Sequence, residues 1–193
     1  MIREIIHYDV PVLRAKGREV GVITSEIKKL VQDLLDTMRH VRGIGLAAQQ
    51  IGETVQVAVV DVTGIKERPS KMWIGDKPVD PEVYMPLILI NPTLKSTKTK
   101  VTATEGCLSF PGLSLEIPRG QRVAVKTRTL EGGTFEFDAA GLLGRAVMHE
   151  TDHLHGRLFI DHITAEQRKA IREDLEYIKR GEPIPQRPAK NTS

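Results

Sequence analysis

The chain has 193 residues, of which 40% are hydrophobic and 27% charged, a balance that suits one globular domain and excludes two full domains. The formal net charge of +3 arises from basic residues scattered along the chain, so we expect no sequence-specific nucleic-acid binding. No apolar run approaches the roughly 18 residues of a membrane helix, and the single cysteine excludes an internal disulfide framework. With no signal-peptide features at the N-terminus, these properties predict a cytoplasmic protein without membrane contact.

Apolar side chains at helical spacing predict a first helix from about Thr24 to His40, which Thr24 or Ser25 can cap. Strand-like segments follow it, and the last two are joined by the Gly132-Gly133 turn as a hairpin. The predicted strands are 55–60, 87–90, 122–129 and 134–137.

The segment from Thr63 to Pro86 contains four prolines, two glycines and the only tryptophan, and it shows no periodicity. We interpret it as a surface loop, with a lid on the substrate side as the alternative. Two further helices are predicted, at 138–155 and at 164–180, the second opened by a capping box. Residues 1–180 are therefore expected to form one α+β domain, and residues 181–193 a disordered tail.

Two histidines four residues apart occur in the run His149-Glu150-Thr151-Asp152-His153. Side chains at this spacing share one face of a helix and can hold one metal ion, and Glu150 can then deprotonate a water beside it. The alternative is a pair of surface histidines on an amphipathic helix. Because residues 141–148 are too apolar for a solvated helix, we favour the metal site.

A metal held by two histidines needs at least one more protein ligand. The downstream candidates, His155, His162 and the acidic residues of the last helix, do not fit the metzincin spacing, because Phe159 stands at the position of its third histidine. Upstream, Cys107 offers a thiolate, which binds zinc or iron(II) readily. A lone cysteine is more often a small buried hydrophobic residue, but Gly106 beside it lets the backbone approach a ligand.

Small residues fill the segment Gly43-Ile44-Gly45-Leu46-Ala47-Ala48-Gln49-Gln50-Ile51-Gly52. Their pattern indicates that another group packs closely against a backbone with few side-chain atoms. The alternative is a tight turn followed by a short strand, which would use the same residues. A phosphate-binding loop is not predicted, because no Lys-Ser or Lys-Thr follows the glycines.

Three motifs together resemble those of the peptide deformylase family: GxGxAAxQ at 43–50, EGCLS at 105–109 and HExDHLxG at 149–156. Their order and spacing match, and the resemblance runs from about Asp9 to Ile163. It implies a metal-dependent hydrolase that removes the formyl group from the N-terminal formyl-methionine of newly made proteins and releases formate. We expect mixed, mostly antiparallel strands packed around a central HExxH helix, with a C-terminal helix.

The resemblance also implies the parts of the active site. Cys107, His149 and His153 would bind one divalent metal, with water completing the tetrahedron. Iron(II) is the implied ion, and zinc, nickel or cobalt are substitutes. Glu150 would be the general base, and the partners would be N-formyl-methionyl nascent peptides. The positive net charge favours a transient association with the ribosome.

Further roles concern the reacting carbonyl and the methionine side chain. Gln50 and the backbone N–H of Leu108 would stabilise the oxyanion. Gly45 would leave room for the formyl group, and Ile44 and Leu142, with the ring of His149, would form the methionine pocket. Asp152 is interpreted as a support for His153 or, alternatively, as a member of a structural ion pair. Met148 departs from the family pattern, in which many members carry Gln; this difference concerns the polar surroundings of the ligands and not the ligands themselves.

Two other classes of protein remain open. A zincin-type metallopeptidase would need a third ligand downstream, and no such motif is present. An inactive, metal-stabilised binding module would be expected to lack the general base or the oxyanion donor, yet Glu150 and Gln50 are both present. Structural zinc sites also usually have four protein ligands, whereas three are evident in the sequence.

Overall fold

Nine β-strands and four α-helices make up the computed structural model, which describes residues 1–186. The strands are β1 (Gly45–Ala47), β2 (Val57–Val60), β3 (Ser70–Ile74), β4 (Lys77–Val79), β5 (Leu87–Ser96), β6 (Lys100–Gly106), β7 (Ser114–Gly120), β8 (Arg122–Arg128) and β9 (Thr134–Ala140). Seven of them form one sheet in the order β1-β2-β5-β8-β9-β3-β4, and β6 pairs with β7 separately. Neighbouring strands are antiparallel throughout. The predicted α+β class and the predominance of antiparallel strands are confirmed.

The helix α2 (Gly141–Leu154) lies against this sheet and is buried from Leu142 to Leu154. It begins three residues later than predicted, because residues 138–140 continue β9 in register with β8. Gly141 makes the corner with φ 67°, and a β carbon there would lie 2.1 Å from the carbonyl oxygen of Pro69. Only glycine fits such a close backbone approach.

The helix α1 (Ser25–His40) covers the other face of β1 and β2, so these two strands lie between α1 and α2. Burial on both faces explains why β2 is apolar at every position. Thr24 caps α1, since its Oγ1 accepts a hydrogen bond from the Ile27 backbone N–H at 3.4 Å. The predicted helix and its cap are confirmed.

The predicted C-terminal helix is divided into α3 (Ala165–Ala170) and α4 (Arg172–Lys179). Its capping box is present, with Thr164 and Gln167 bonding each other's backbone N–H groups. The division follows from packing: α3 buries no residue, whereas α4 buries residues on the core. Ile171, the buried residue between them, bonds to both helices: its N–H donates to the Gln167 carbonyl oxygen at 3.2 Å, and its carbonyl oxygen accepts from the Leu175 N–H at 3.0 Å.

The prediction of a structureless loop from Thr63 to Pro86 is wrong. β3 joins the edge of the large sheet beside β9, and β4 folds back on β3 through Gly75, at φ 60°. Prolines and turn residues hide these short strands in the sequence. β6 and β7 were not predicted either, because β6 is mostly polar and exposed and is defined by its pairing rather than by burial.

Residues 181–186 contain no helix or strand, and Ile184 contacts the apolar cluster formed by Phe110, Phe159 and their neighbours. Most of the tail predicted to be disordered, residues 187–193, lies outside the described residues. Within residues 1–186 no helix is both long enough and apolar enough to cross a bilayer.

Candidate metal centre and active site

The three predicted metal ligands come together at one end of α2. His149 and His153 lie one helical turn apart on α2, and Cys107 follows the end of β6. Their ligand atoms all lie within 4.8 Å of one another, and Cys107 Sγ is 3.3 Å from His153 Nε2. A tight turn holds the cysteine in place, since the Phe110 N–H donates to the Cys107 carbonyl oxygen at 2.8 Å. Both histidines are buried.

Glu105, at the end of β6, fixes the ring of His149. Its Oε2 lies 3.0 Å from His149 Nδ1, which leaves Nε2 of that ring to face a metal. Arg119 binds the same carboxylate through two nitrogens, at 2.8 and 3.0 Å, and Arg145 binds it at 2.6 Å. Burial acts to raise the pKa of Glu105, but His149 and Arg119 outweigh it and hold that pKa far below its ordinary range.

The sequence analysis did not identify Glu105, Arg119 and Arg145 as supports of the candidate metal ligands. Glu105 is part of the EGCLS motif, but no role was assigned to it. Two signals point to the others. Arg145 interrupts an apolar helix four residues before His149, and Arg119 shares the inward face of β7 with Ile117, which is fully buried. A charged residue at an inward position implies a buried partner.

Asp152 does not support His153 directly, so that interpretation is wrong and the alternative, a structural ion pair, is correct. Its Oδ2 accepts hydrogen bonds from Arg119 Nη1 at 2.6 Å and lies 2.7 Å from His162 Nε2. The Nδ1 atom of His153 is buried and has no partner within residues 1–186. Met148 lines a separate cavity with Asp152 and His162, away from Cys107.

Glu150 faces the small-residue segment. A β carbon on Gly45 would lie 2.3 Å from Glu150 Oε1, so glycine is required for the carboxylate to occupy this place. The other oxygen, Oε2, is buried and has no hydrogen-bond partner among the described residues. Burial raises the pKa of Glu150 to about 7. A carboxylate with such a pKa can exchange a proton near neutral pH.

Gln50 lies beside the thiol of Cys107. Its Oε1 accepts a hydrogen bond from the Ala47 backbone N–H at 2.9 Å, which orients the amide. Its Nε2 then donates to Ser109 Oγ at 3.2 Å and lies 3.5 Å from Cys107 Sγ. The amide N–H group is thus aimed at the site rather than at solvent, and Gln50 is only 1% exposed.

A cavity of about 520 Å³ opens beside these groups. Its walls include Ile44, Gly45 and Leu108, and its floor is the face of α2 from Leu142 to Glu150. Ile44 and Leu142, predicted for the methionine pocket, therefore line the same cavity as Gly45, which was predicted for the formyl site. Leu108 lines this cavity too. Cys107 and His149 belong to this lining, whereas His153 does not.

The electrostatics of the ligand group fit a cation. Burial lowers the pKa of His149, but Cys107 and Glu105 raise it by more, so that it lies well above its ordinary value. The pKa of His153 is lowered, by burial first and then by the charge of His149. The site thus favours one positive charge beside a thiol and two imidazoles, which is the donor set that zinc and iron(II) prefer.

A buried HExxH helix, a thiol from the turn that follows β6 and a carboxylate beside an open cavity define a metal-dependent hydrolase of the α+β class. Residues 2–169 match the family model described as polypeptide deformylase. The chain belongs to the polypeptide deformylase family, whose members are enzymes.

Similar proteins support this assignment over nearly the whole chain. A peptide deformylase of Methylacidiphilum infernorum is 53% identical over 184 residues, covering 95% of this chain and 96% of that protein. A peptide deformylase of Opitutus terrae is 38% identical, with coverage of 91% and 92%. The crystal structure of a peptide deformylase from Legionella pneumophila aligns with a TM-score of 0.78 and 32% identity, over 93% of this chain and 96% of that one.

Proposed function

We propose that this protein hydrolyses the N-terminal formamide of N-formyl-methionyl nascent peptides, releasing formate and a free amine. One observation carries the proposal: the Cys107 thiol and the imidazoles of His149 and His153 converge within 4.8 Å beside a cavity that Glu150 lines. Residues 1–180 form the catalytic domain. Because nascent peptides are made in the cytoplasm, the enzyme acts there, and its net charge of +3 favours transient contact with the ribosome.

Cys107, His149 and His153 would hold one divalent ion. We favour iron(II), with zinc, nickel and cobalt as substitutes, because thiolate and imidazole bind each of these ions. When bound, the ion would polarise the formyl carbonyl and lower the pKa of a water. Three protein ligands leave a coordination position free for this chemistry.

Glu150 acts as general base and then as general acid. Its pKa, raised to about 7 by burial, suits it to take a proton from the attacking water and return it to the methionine nitrogen. The C–N bond of the formamide breaks as that proton arrives, and formate leaves. The Glu150 carboxylate is held ready for this, because Gly45 provides the space that it occupies.

Gln50 and Leu108 stabilise the negative charge that develops on the formyl oxygen. The Gln50 amide is already oriented by Ala47, so its N–H group needs little reorganisation to reach that oxygen. The backbone N–H of Leu108 supplies the second donor from the adjacent wall. One such donor is worth roughly 3 kcal/mol of transition-state stabilisation.

The methionine side chain lies in the apolar part of the cavity. Ile44 and Leu142, with the ring of His149, line this part of the wall and floor. An unbranched thioether suits an irregular apolar space. The N-terminal formyl group then lies between Gly45 and the three ligands.

The direct test is formate release from formyl-Met-Ala-Ser by protein purified without oxygen and loaded with iron(II). We expect formate and Met-Ala-Ser in equal amounts, with the internal peptide bonds intact. Cleavage between alanine and serine would instead indicate a zincin-type peptidase. Metal binding without turnover would indicate an inactive, metal-stabilised module.

A further inference from the structure

Two exposed arginines, Arg42 and Arg68, line the mouth of the cavity that holds the candidate metal ligands. Among the described residues neither of them forms an ion pair. Arg68 is held by one hydrogen bond, from its Nη2 to the Thr104 carbonyl oxygen at 3.1 Å. The rest of both guanidinium groups is available to a ligand.

The acidic residues of this cavity cannot neutralise them. Glu105 is buried and already bound by Arg119, Arg145 and His149. Glu150 is buried beneath the small-residue segment. Solvent and an entering peptide therefore meet positive charge at the mouth of the cavity.

The backbone at Arg42 is unusual for this residue type. Arg42 follows α1 with φ 55°, in the left-handed region where glycine or asparagine is typical after a helix. Gly43 comes next, and a β carbon there would lie 2.9 Å from Leu108 Cδ1. Arg42 is thus fixed beside the wall that carries Leu108.

Arg68 is fixed at the other end of the cavity floor. The carbonyl oxygen of Pro69 accepts a hydrogen bond from the Leu142 N–H at 3.2 Å, which ties this segment to the start of α2. Leu142 and His149 lie about 10 Å apart along the helix axis, at a rise of about 1.5 Å per residue. An extended peptide covers that distance with about three residues.

We propose that Arg42 and Arg68 select substrates that carry an acidic side chain at the second or third residue. This inference rests on the proposed deformylase function and names the class of peptide that the site prefers. An exposed ion pair changes an equilibrium by about two- to fivefold. The preference therefore amounts to a factor of about two to five in kcat/KM for each arginine, and it falls as salt screens the charges.

The test compares kcat/KM for formyl-Met-Glu-Ser, formyl-Met-Gln-Ser and formyl-Met-Lys-Ser, and for the same three side chains at the third residue. The expected order is Glu, then Gln, then Lys, and the differences shrink at about 1 M salt, where the screening length is about 3 Å. Arg42→Gln and Arg68→Gln should each reduce the ratio of Glu to Gln. The double variant Arg42→Glu with Arg68→Glu should reverse the order.

Arg172→Gln, at an exposed position on α4, is the matched control for each single substitution, because it alters the net charge by the same amount without lining this cavity. It should keep the wild-type order. The neutral peptide formyl-Met-Gln-Ser separates this inference from the proposed function. Turnover of this peptide with no effect of the arginine variants on the ratios would overturn the inference alone. No turnover of any peptide by the iron(II)-loaded wild type would overturn the proposed function and this inference with it.

Discussion

Glu105 Oε2 lies 3.0 Å from His149 Nδ1, so a carboxylate at the end of β6 sets the orientation of a candidate metal ligand on α2. Two arginines, Arg119 and Arg145, hold that carboxylate in turn. Arg119 also binds Asp152, one residue before His153. His149 is therefore supported by a buried network of charges that crosses from β6 and β7 to α2 and also includes Asp152.

Glu105→Gln should weaken metal binding by about 10–100-fold, which is the usual effect of removing an outer partner of a metal-binding histidine. It also leaves buried arginines short of a counter-charge, and we expect the free energy of unfolding to fall by about 3–5 kcal/mol. Competitive chelator titration and urea unfolding of the metal-free protein measure the two effects. Glu116→Gln, at an exposed position on β7, is the control and should change neither. Unchanged metal affinity in Glu105→Gln would contradict the assigned role.

The sequence predicted the groups that do chemistry more completely than the groups that support them. The two histidines and Glu150 follow from local spacing, because residues four apart on a helix share a face, whereas Cys107 was predicted from the resemblance of the three motifs. The contact between Arg119 and Glu105 joins residues on different strands, and its existence depends on the register of β6 with β7. Register is set by tertiary pairing, so single-sequence patterns did not reveal the network.

The helices and strands also divide into those that local sequence predicts and those that depend on tertiary pairing. α1 and the β8–β9 hairpin were predictable, because periodicity and turn residues define them locally. β3 was missed because it is short and flanked by turns, and it is defined by its pairing with β4 and β9. α2 was predicted to start too early, since the corner at Gly141 depends on the nearby Pro69 carbonyl.

Gly45→Ala should leave metal binding intact but reduce turnover by about 100-fold. Its β carbon would lie 2.3 Å from Glu150 Oε1, so the carboxylate must move, and a displacement of about 1 Å at a reacting group costs on that order. Steady-state kinetics with formyl-Met-Ala-Ser and metal analysis of the same sample measure this. Gly21→Ala is the matched control, because a β carbon there would meet nothing within 4 Å. Equal activity of the two variants would show that Gly45 is not needed to place Glu150.

Glu150→Gln should retain the metal and lose about 10²–10⁴-fold in kcat, because the amide keeps the size of the side chain but cannot accept the proton. Glu166→Gln, on the exposed helix α3, is the control and should remain fully active. Near-normal turnover of a metal-loaded Glu150→Gln sample would exclude Glu150 as the base.

The same variant should change how the stability of the metal-free protein depends on pH. Burial raises the pKa of Glu150 to about 7, above its ordinary value of 4.5. The folded state therefore binds this proton more tightly, and the resulting stability is full below the ordinary pKa and is lost as pH rises through about 7. The Glu150→Gln variant has no carboxyl group at this position, so its stability does not fall with the deprotonation of residue 150. Its free energy of unfolding, relative to wild type, should rise by about 3 kcal/mol from about pH 4 to about pH 9, which urea unfolding at each pH measures.

Cys107→Ser should bind metal more weakly, because a hydroxyl replaces a thiolate, the softest ligand that a protein offers. In the cobalt-substituted protein the thiolate-to-metal absorption band should disappear. Retention of the metal at full occupancy with an unchanged spectrum would remove Cys107 from the ligand set. Circular dichroism checks that the variant is folded.

The site should also discriminate between formyl and acetyl groups. A formyl carbon carries only hydrogen, whereas an acetyl carbon carries a methyl group that must find space at the site. Space there is limited: a β carbon on Gly43 would lie 2.9 Å from Leu108 Cδ1, and one on Gly45 would lie 2.3 Å from Glu150 Oε1. Forcing an extra methyl group into a packed site typically costs about 1–3 kcal/mol.

Such a cost corresponds to a rate factor of roughly 5–150, and the lower electrophilicity of the acetyl carbonyl adds to it. We therefore expect kcat/KM for formyl-Met-Ala-Ser to exceed that for acetyl-Met-Ala-Ser by at least this steric factor of roughly 5–150. Both peptides share every side chain, so the ratio isolates the wall around the reacting carbon from the methionine pocket and from the arginines at the mouth. Equal rates on the two peptides would show that the site is a general amidase, and that Gly45 and Leu108 do not form a wall against the methyl group.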